Sequence, residues 1–93
     1  MVPPHLLPVP LGQIVATPAA LTALTQPDIV AALRRHISGD WGEVDDDDRR
    51  ANDESVRDGT RLLSAYTSAG GTAFWVITEA DRSVTTVLLP DDY

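Results

Sequence analysis

An α+β domain, with an antiparallel three- or four-stranded sheet and two or three helices packed on one face, is the fold class this sequence predicts. Three observations predict it. The stretch from Ala73 to Pro90, AFWVITEADRSVTTVLLP, holds the densest run of β-branched and aromatic residues and is broken once by a polar turn at 79–82. Upstream of it, apolar residues recur at helical spacing, as in Ile29, Leu33 and Ile37. The chain has only 93 residues, enough for one core and no more.

The elements follow in order. Prolines at 3, 4, 8 and 10 exclude a helix over residues 1–11 and predict an extended arm, with residues 12–93 forming the single domain. Leu6, Leu7, Val9 and Leu11 make the arm apolar enough to pack on the domain or on a second subunit. Residues 12–16, GQIVA, read as a short strand at an edge of the sheet. Thr17-Pro18 has the form of an N-cap followed by a first-turn proline, so a short helix is expected over 18–24. A second helix is expected over 27–37, with Arg34 and Arg35 suited to the negative end of its dipole and Gly39 placed to end it.

After the turn Gly39-Asp40-Trp41-Gly42, four consecutive aspartates at 45–48 are ordinary at a helix start, where one caps and the rest oppose the positive dipole. A third helix over 46–58, stopped by Gly59, is expected. Its inner face (Asp48, Ala51, Asn52, Ser55, Val56) is small and half polar. Strands are expected over 60–67, 72–78 and 83–89, the first two joined by a hairpin loop at Ser68-Ala69-Gly70-Gly71. The last two are apolar on both faces, so the face turned from the helices should meet the arm, a second subunit or a ligand.

Composition excludes several functions. With no cysteine there are no disulfides, thiol nucleophiles or thiolate zinc sites. No apolar run reaches the ~20 residues of a membrane helix, and the proline-rich start lacks a basic region, so a cytoplasmic protein is expected. Fourteen acids face seven bases, and nine of the acids lie between Asp40 and Asp58 beside three arginines. That balance argues against direct nucleic-acid binding and for a protein partner with a basic surface.

Three groups of residues are candidates for function. The acidic segment, with Glu43, Asp45, Asp46, Asp47, Asp48, Asp53 and Glu54, could imitate the phosphates of a nucleic acid, with Trp41 as an apolar anchor; the plainer reading is a solvated helix with a well-placed N-terminus. Calcium is excluded there, because Asp45, Asp47 and Arg49 put a cation where a ligand belongs and the loop glycine is missing. His36 with Asp40 has the form of an acid–base pair, although such a histidine more often hydrogen-bonds a neighbouring turn. Glu79, Asp81 and Arg82 form a polar cluster that is a site only if it meets His36 and Asp40 in a pocket, and otherwise satisfies itself locally. No catalytic set, metal or cofactor is expected from these residues.

The segments LGQIVATPAAL, RHISGDWGEVDDDDRRANDES, GTRLLSAYTS and FWVITEADRSVTTVLLPDDY, which span about Leu11 to Tyr93, resemble a family of small bacterial proteins from plasmids, phages and other mobile elements. Members are labelled hypothetical, plasmid-related or restriction-modification associated, yet nothing in this chain resembles a methyltransferase cofactor loop or catalytic tetrad. The hairpin loop at 68–71 departs from relatives that carry a charged, Asp-containing turn. The family carries no settled activity; its mobile-element origin, taken with the charge segregation of this chain, leads to the expectation of a non-enzymatic protein that inhibits or tunes a host defence complex of restriction or CRISPR type. A small enzyme built on His36, Asp40 and the 79–82 cluster, and a plain interaction module forming a homodimer, are the alternatives.

Overall fold

A computed structural model describes residues 2–93. The chain runs β1 (Gln13–Ala16), α1 (Pro18–Ala23), α2 (Gln26–Ile37), α3 (Asp46–Asp58), β2 (Leu62–Thr67), β3 (Ala73–Thr78) and β4 (Val84–Leu88), with 3-10 turns at Pro4–Leu6 and Pro90–Asp92. The sheet order is β1-β4-β3-β2. β2, β3 and β4 form the expected antiparallel meander, but β1 pairs parallel with β4, so the sheet is mixed rather than wholly antiparallel. The three helices between β1 and β2 make this possible, because they carry the chain from one edge of the sheet to the other.

Local chemistry sets the helix ends. Thr17 caps α1 by accepting from Ala20 N–H, and Thr25 with Asp28 forms a reciprocal capping box on α2. Asp45 caps α3 by accepting from Asp48 N–H at 2.8 Å, and Gly59 ends that helix. The aspartate run at 45–48 thus opens the helix as its position predicts, with Asp45 as the cap and Asp46 to Asp48 in the first turn.

The helices cover one face of the sheet, formed by Leu62, Ser64 and Tyr66 of β2, Phe74, Val76 and Thr78 of β3, and Thr85 and Val87 of β4. Two apolar clusters form on it. One joins Ala20, Leu24 and Ala32 to Tyr66, Phe74, Val76 and Val87. The other joins Val2 and Val9 of the arm to Trp41 and Leu62. The arm thus packs into the helix layer, with Val9 N–H donating to Ile37 O at 2.9 Å. It is not what covers the second face of the sheet. There the C-terminal turn lays Tyr93 edge-on to Trp75, with ring centroids 5.6 Å apart, and Arg61 donates to the Tyr93 hydroxyl.

The two edges of the sheet are finished differently. Leu63 and Ala65 of β2 aim their backbone groups away from β3. Asn52 of α3 takes both groups of Leu63, its Oδ1 accepting from the N–H at 3.1 Å and its Nδ2 donating to the carbonyl at 2.8 Å. Segment 41–43 takes those of Ala65, whose N–H donates to Trp41 O at 3.0 Å and whose carbonyl accepts from Glu43 N–H at 2.7 Å. Gly42 lies so close that a Cβ there would sit 2.1 Å from Ala65 O, and its φ of +75° also favours glycine. Among the described residues, nothing pairs with the outer edge of β1.

Candidate functional site

His36 lies on the inner face of α2 with zero exposure, between the two apolar clusters. Its Nδ1 is 2.6 Å from Ser64 Oγ and its Nε2 is 2.8 Å from Thr78 Oγ1. Thr78 Oγ1 is in turn 2.8 Å from Thr85 Oγ1, which donates to Leu11 O at 2.8 Å. The last bond orders the rest. Thr85 spends its proton on Leu11 and accepts from Thr78, so Thr78 accepts Nε2–H and the neutral ring accepts at Nδ1 from the Ser64 hydroxyl. Burial, assisted by the positive charge of Arg82, lowers the His36 pKa from 6.5 to about 4, which keeps the ring neutral.

A serine donating to a histidine has the outline of a nucleophile and its base. Here Ser64 and His36 are both wholly buried, and the second ring nitrogen meets a threonine. The network holds together the arm, α2 and three strands. Its function is structural. Edge contact with the Trp41 ring, at a centroid distance of 5.6 Å, completes the packing around His36.

The candidate His36–Asp40 pair does not form. Asp40 turns outward and accepts from Arg35 Nε at 2.7 Å and Arg35 Nη2 at 3.1 Å, while its Oδ1 also accepts from Gly42 N–H. These bonds hold its carboxyl below the ordinary range, with the Arg35 bond the largest cause. The cluster at 79–82 does not reach His36 as a site either. Arg82 donates to the carbonyls of Ser55 (2.8 Å) and Thr60 (2.6 Å), closing the C-terminal end of α3, and also to Glu79 O within its own turn. Asp81 accepts from Ser83 N–H, and Glu79 lies 3.7 Å from Arg61. The turn between β3 and β4 is therefore a clamp on α3, satisfied by its own bonds.

The acidic segment divides in two. Trp41 is 1% exposed, and its indole N–H donates to Asp53 Oδ1 at 2.9 Å. Both residues belong to the packing of α3 against the core, so Trp41 is not the apolar anchor of a docking surface. Glu43 is likewise engaged, accepting from the Thr67 hydroxyl at 2.7 and 2.9 Å. Glu43 itself, the first turn of α3 and Glu54 face solvent. The Asp46 and Asp47 side chains are 92% and 88% exposed, with Arg49 and Arg50 beside them one turn on. No group of three or more histidine or acidic side chains among the described residues is placed to hold a metal ion.

The sequence places Asn52 on the inner face of α3, but its bonds run to strand β2 and not to a loop, and sequence reasoning missed the Ser64–His36–Thr78–Thr85 network. The signal for the network was present as polar residues at alternate positions on otherwise apolar inward faces: Ser64 between Leu62 and Tyr66, and Thr78 after Phe74 and Val76.

The fold and the site define a two-layer α+β protein with an open mixed sheet, a buried polar seam and an exposed acidic helix start. No protein-family model, curated protein or solved structure matches the chain. No helix among the described residues is long and apolar enough to cross a membrane.

Proposed function

We propose that this chain is a non-enzymatic acidic binding protein that engages a basic protein surface through the exposed start of α3. The observation that carries this reading is the segregation of charge. Asp46, Asp47, Asp48 and Glu54 project into solvent on one helix, where Arg49 and Arg50 offset part of their charge, whereas Arg35 is paired with Asp40 at the surface and Arg82 is turned to backbone carbonyls. Carboxylates held on a rigid scaffold attract an arginine- or lysine-lined channel, raise the rate of encounter and oppose binding to nucleic acid itself.

A nuclease complex of a host defence system, of restriction or CRISPR type, is the partner class this proposal names. The mobile-element resemblance supports it, and nucleic-acid mimicry is the mechanism it implies. Asp45 lies outside the binding set, because its carboxylate caps the helix.

The test is charge reversal at three positions, Asp46→Lys, Asp47→Lys and Asp48→Lys together, assayed by titration against such a nuclease complex at two salt concentrations. Loss of binding by 100-fold or more, with the wild-type affinity falling as salt rises, supports the proposal. Unchanged binding by a folded triple variant overturns it.

A further inference from the structure

We infer that the open edge of β1 is a self-association site, at which two copies of this chain pair their β1 strands antiparallel about a two-fold axis. The two four-stranded sheets then become one continuous sheet.

The backbone geometry defines the site. Gln13 N–H donates to Ser83 O at 2.9 Å and Thr17 N–H donates to Val87 O at 3.0 Å, so the odd-numbered residues of this segment face β4. In a parallel pair the residues between them point the other way, and the N–H and C=O groups of Ile14 and Ala16 are therefore aimed out of the sheet. The side chains offer no protection. Ile14 and Val15 are 50% and 37% exposed, and Gln13–Ala16 contains no charge, proline or bulge, the devices that usually keep an edge strand from pairing.

The same geometry selects a second copy as the occupant. When Ile14 of one copy faces Ala16 of the other, both hydrogen-bonding residues of each strand are used and a large side chain meets a small one on the helix face. Val15 then meets Val15 of the second copy at the axis, as a close non-hydrogen-bonded pair. Pro10 and Pro18 limit the pairing segment at both ends, so the two strands match in length.

Charge agrees with this arrangement. The chain carries −7, and most of the excess lies on and before α3, which packs at β2, the opposite edge of the sheet. Seven strand spacings would separate β2 from its counterpart, roughly 33 Å, several times the ~8 Å screening length at physiological salt. Two copies thus associate without bringing their acidic helices together. Pairing at β1 also leaves the start of α3 free, so it does not compete with the binding surface proposed above.

The chain has no cysteine, which makes a direct test available. In the paired state the two residues at position 15 have Cα atoms about 4.5 Å apart, within the range a disulfide spans. Val15→Cys is expected to oxidise quantitatively to a disulfide-linked dimer at micromolar concentration, while Ala69→Cys, in the exposed hairpin loop, stays largely monomeric. Sedimentation of the wild-type chain should show twice the 10.0 kDa mass at high concentration. Val15→Lys, which sets like charges opposite each other, and Ile14→Pro, which removes an outward N–H while sparing the bonds to β4, should both return the monomer with an unchanged circular dichroism spectrum. A wild-type chain that stays monomeric to millimolar concentration overturns the inference. So does a dimer that persists in both variants, or equal cross-linking at positions 15 and 69.

Discussion

The two edges of the sheet face the same physical problem and meet it in opposite ways. Both β1 and β2 present a row of backbone donors and acceptors that must bond to something. At β2 the chain closes the row itself: the Asn52 amide takes the place of a neighbouring strand at Leu63, and Trp41 and Glu43 do so at Ala65. At β1 the row ends in solvent. The difference is one of investment. Closing β2 draws on a buried asparagine, a tryptophan and a glycine approached by a carbonyl, all held by α3 and the 39–43 turn. Closing β1 draws on nothing. The closed edge should therefore be sensitive to substitution, and the open edge tolerant.

The largest effect is expected at Gly42. An alanine there would set Cβ against the Ala65 carbonyl and the Tyr66 ring, at a φ that side chains rarely adopt, and the neighbour is backbone that cannot swing away. Gly42→Ala should lower stability by about 3–4 kcal/mol, read by urea unfolding. An effect below about 1 kcal/mol would show that the 41–43 segment is not fixed on β2.

Asn52→Leu comes next. It fills similar space but leaves the N–H and C=O of Leu63 without partners, at a cost of about 2–4 kcal/mol. Asn52→Asp keeps the acceptor and loses the donor, and should fall between the leucine variant and the wild type. A reversed order would place the energy in packing and not in the closed edge.

The buried seam behind this edge gives a pH test. The folded His36 pKa lies below its unfolded value of 6.5, at about 4, so the unfolded chain binds the proton first. Its contribution is fully present above pH 6.5 and is lost as pH falls towards 4, by about 3 kcal/mol across that window. The carboxylates of Asp28, Asp40, Asp81 and Asp92 are held below their ordinary value of 3.8, so their contribution disappears at lower pH still. A melting temperature that falls between pH 6.5 and 5 in the wild type, and falls less in His36→Gln, is the expected result.

The smallest effects belong to the open edge. Ile14→Thr or Val15→Lys should change the stability of the isolated chain by no more than about 0.5 kcal/mol, because exposed side chains there lose little packing.

Much of the fold was legible in the residues. Capping and glycine chemistry placed α3 at Asp46–Asp58 as expected, and the strand runs fell within a residue or two of β2, β3 and β4. The direction of β1 was not legible. Periodicity reports which side chains face the core and is silent on which strand lies alongside, so a strand at the start of the chain gave no sign that it would join β4 in parallel. Trp41 illustrates the same limit. A tryptophan between two glycines in an acidic segment reads equally well as a surface anchor or a core residue, and only the arm and α3, closing over it from both sides, decide for the core. His36, at the end of α2, and Asp40, in the turn that follows, are only four residues apart, yet burial carries one inward to Ser64 and Thr78 while Arg35 holds the other outside.

Amide hydrogen exchange, residue by residue and at two protein concentrations, tests the contrast between the edges most directly. The N–H groups of Leu63 and Ala65 should be protected at both concentrations, to a level approaching global unfolding. Those of Ile14 and Ala16 should exchange freely in dilute solution and become protected as concentration rises. Protection of Ile14 and Ala16 in the dilute monomer, or rapid exchange at Leu63, would contradict the account.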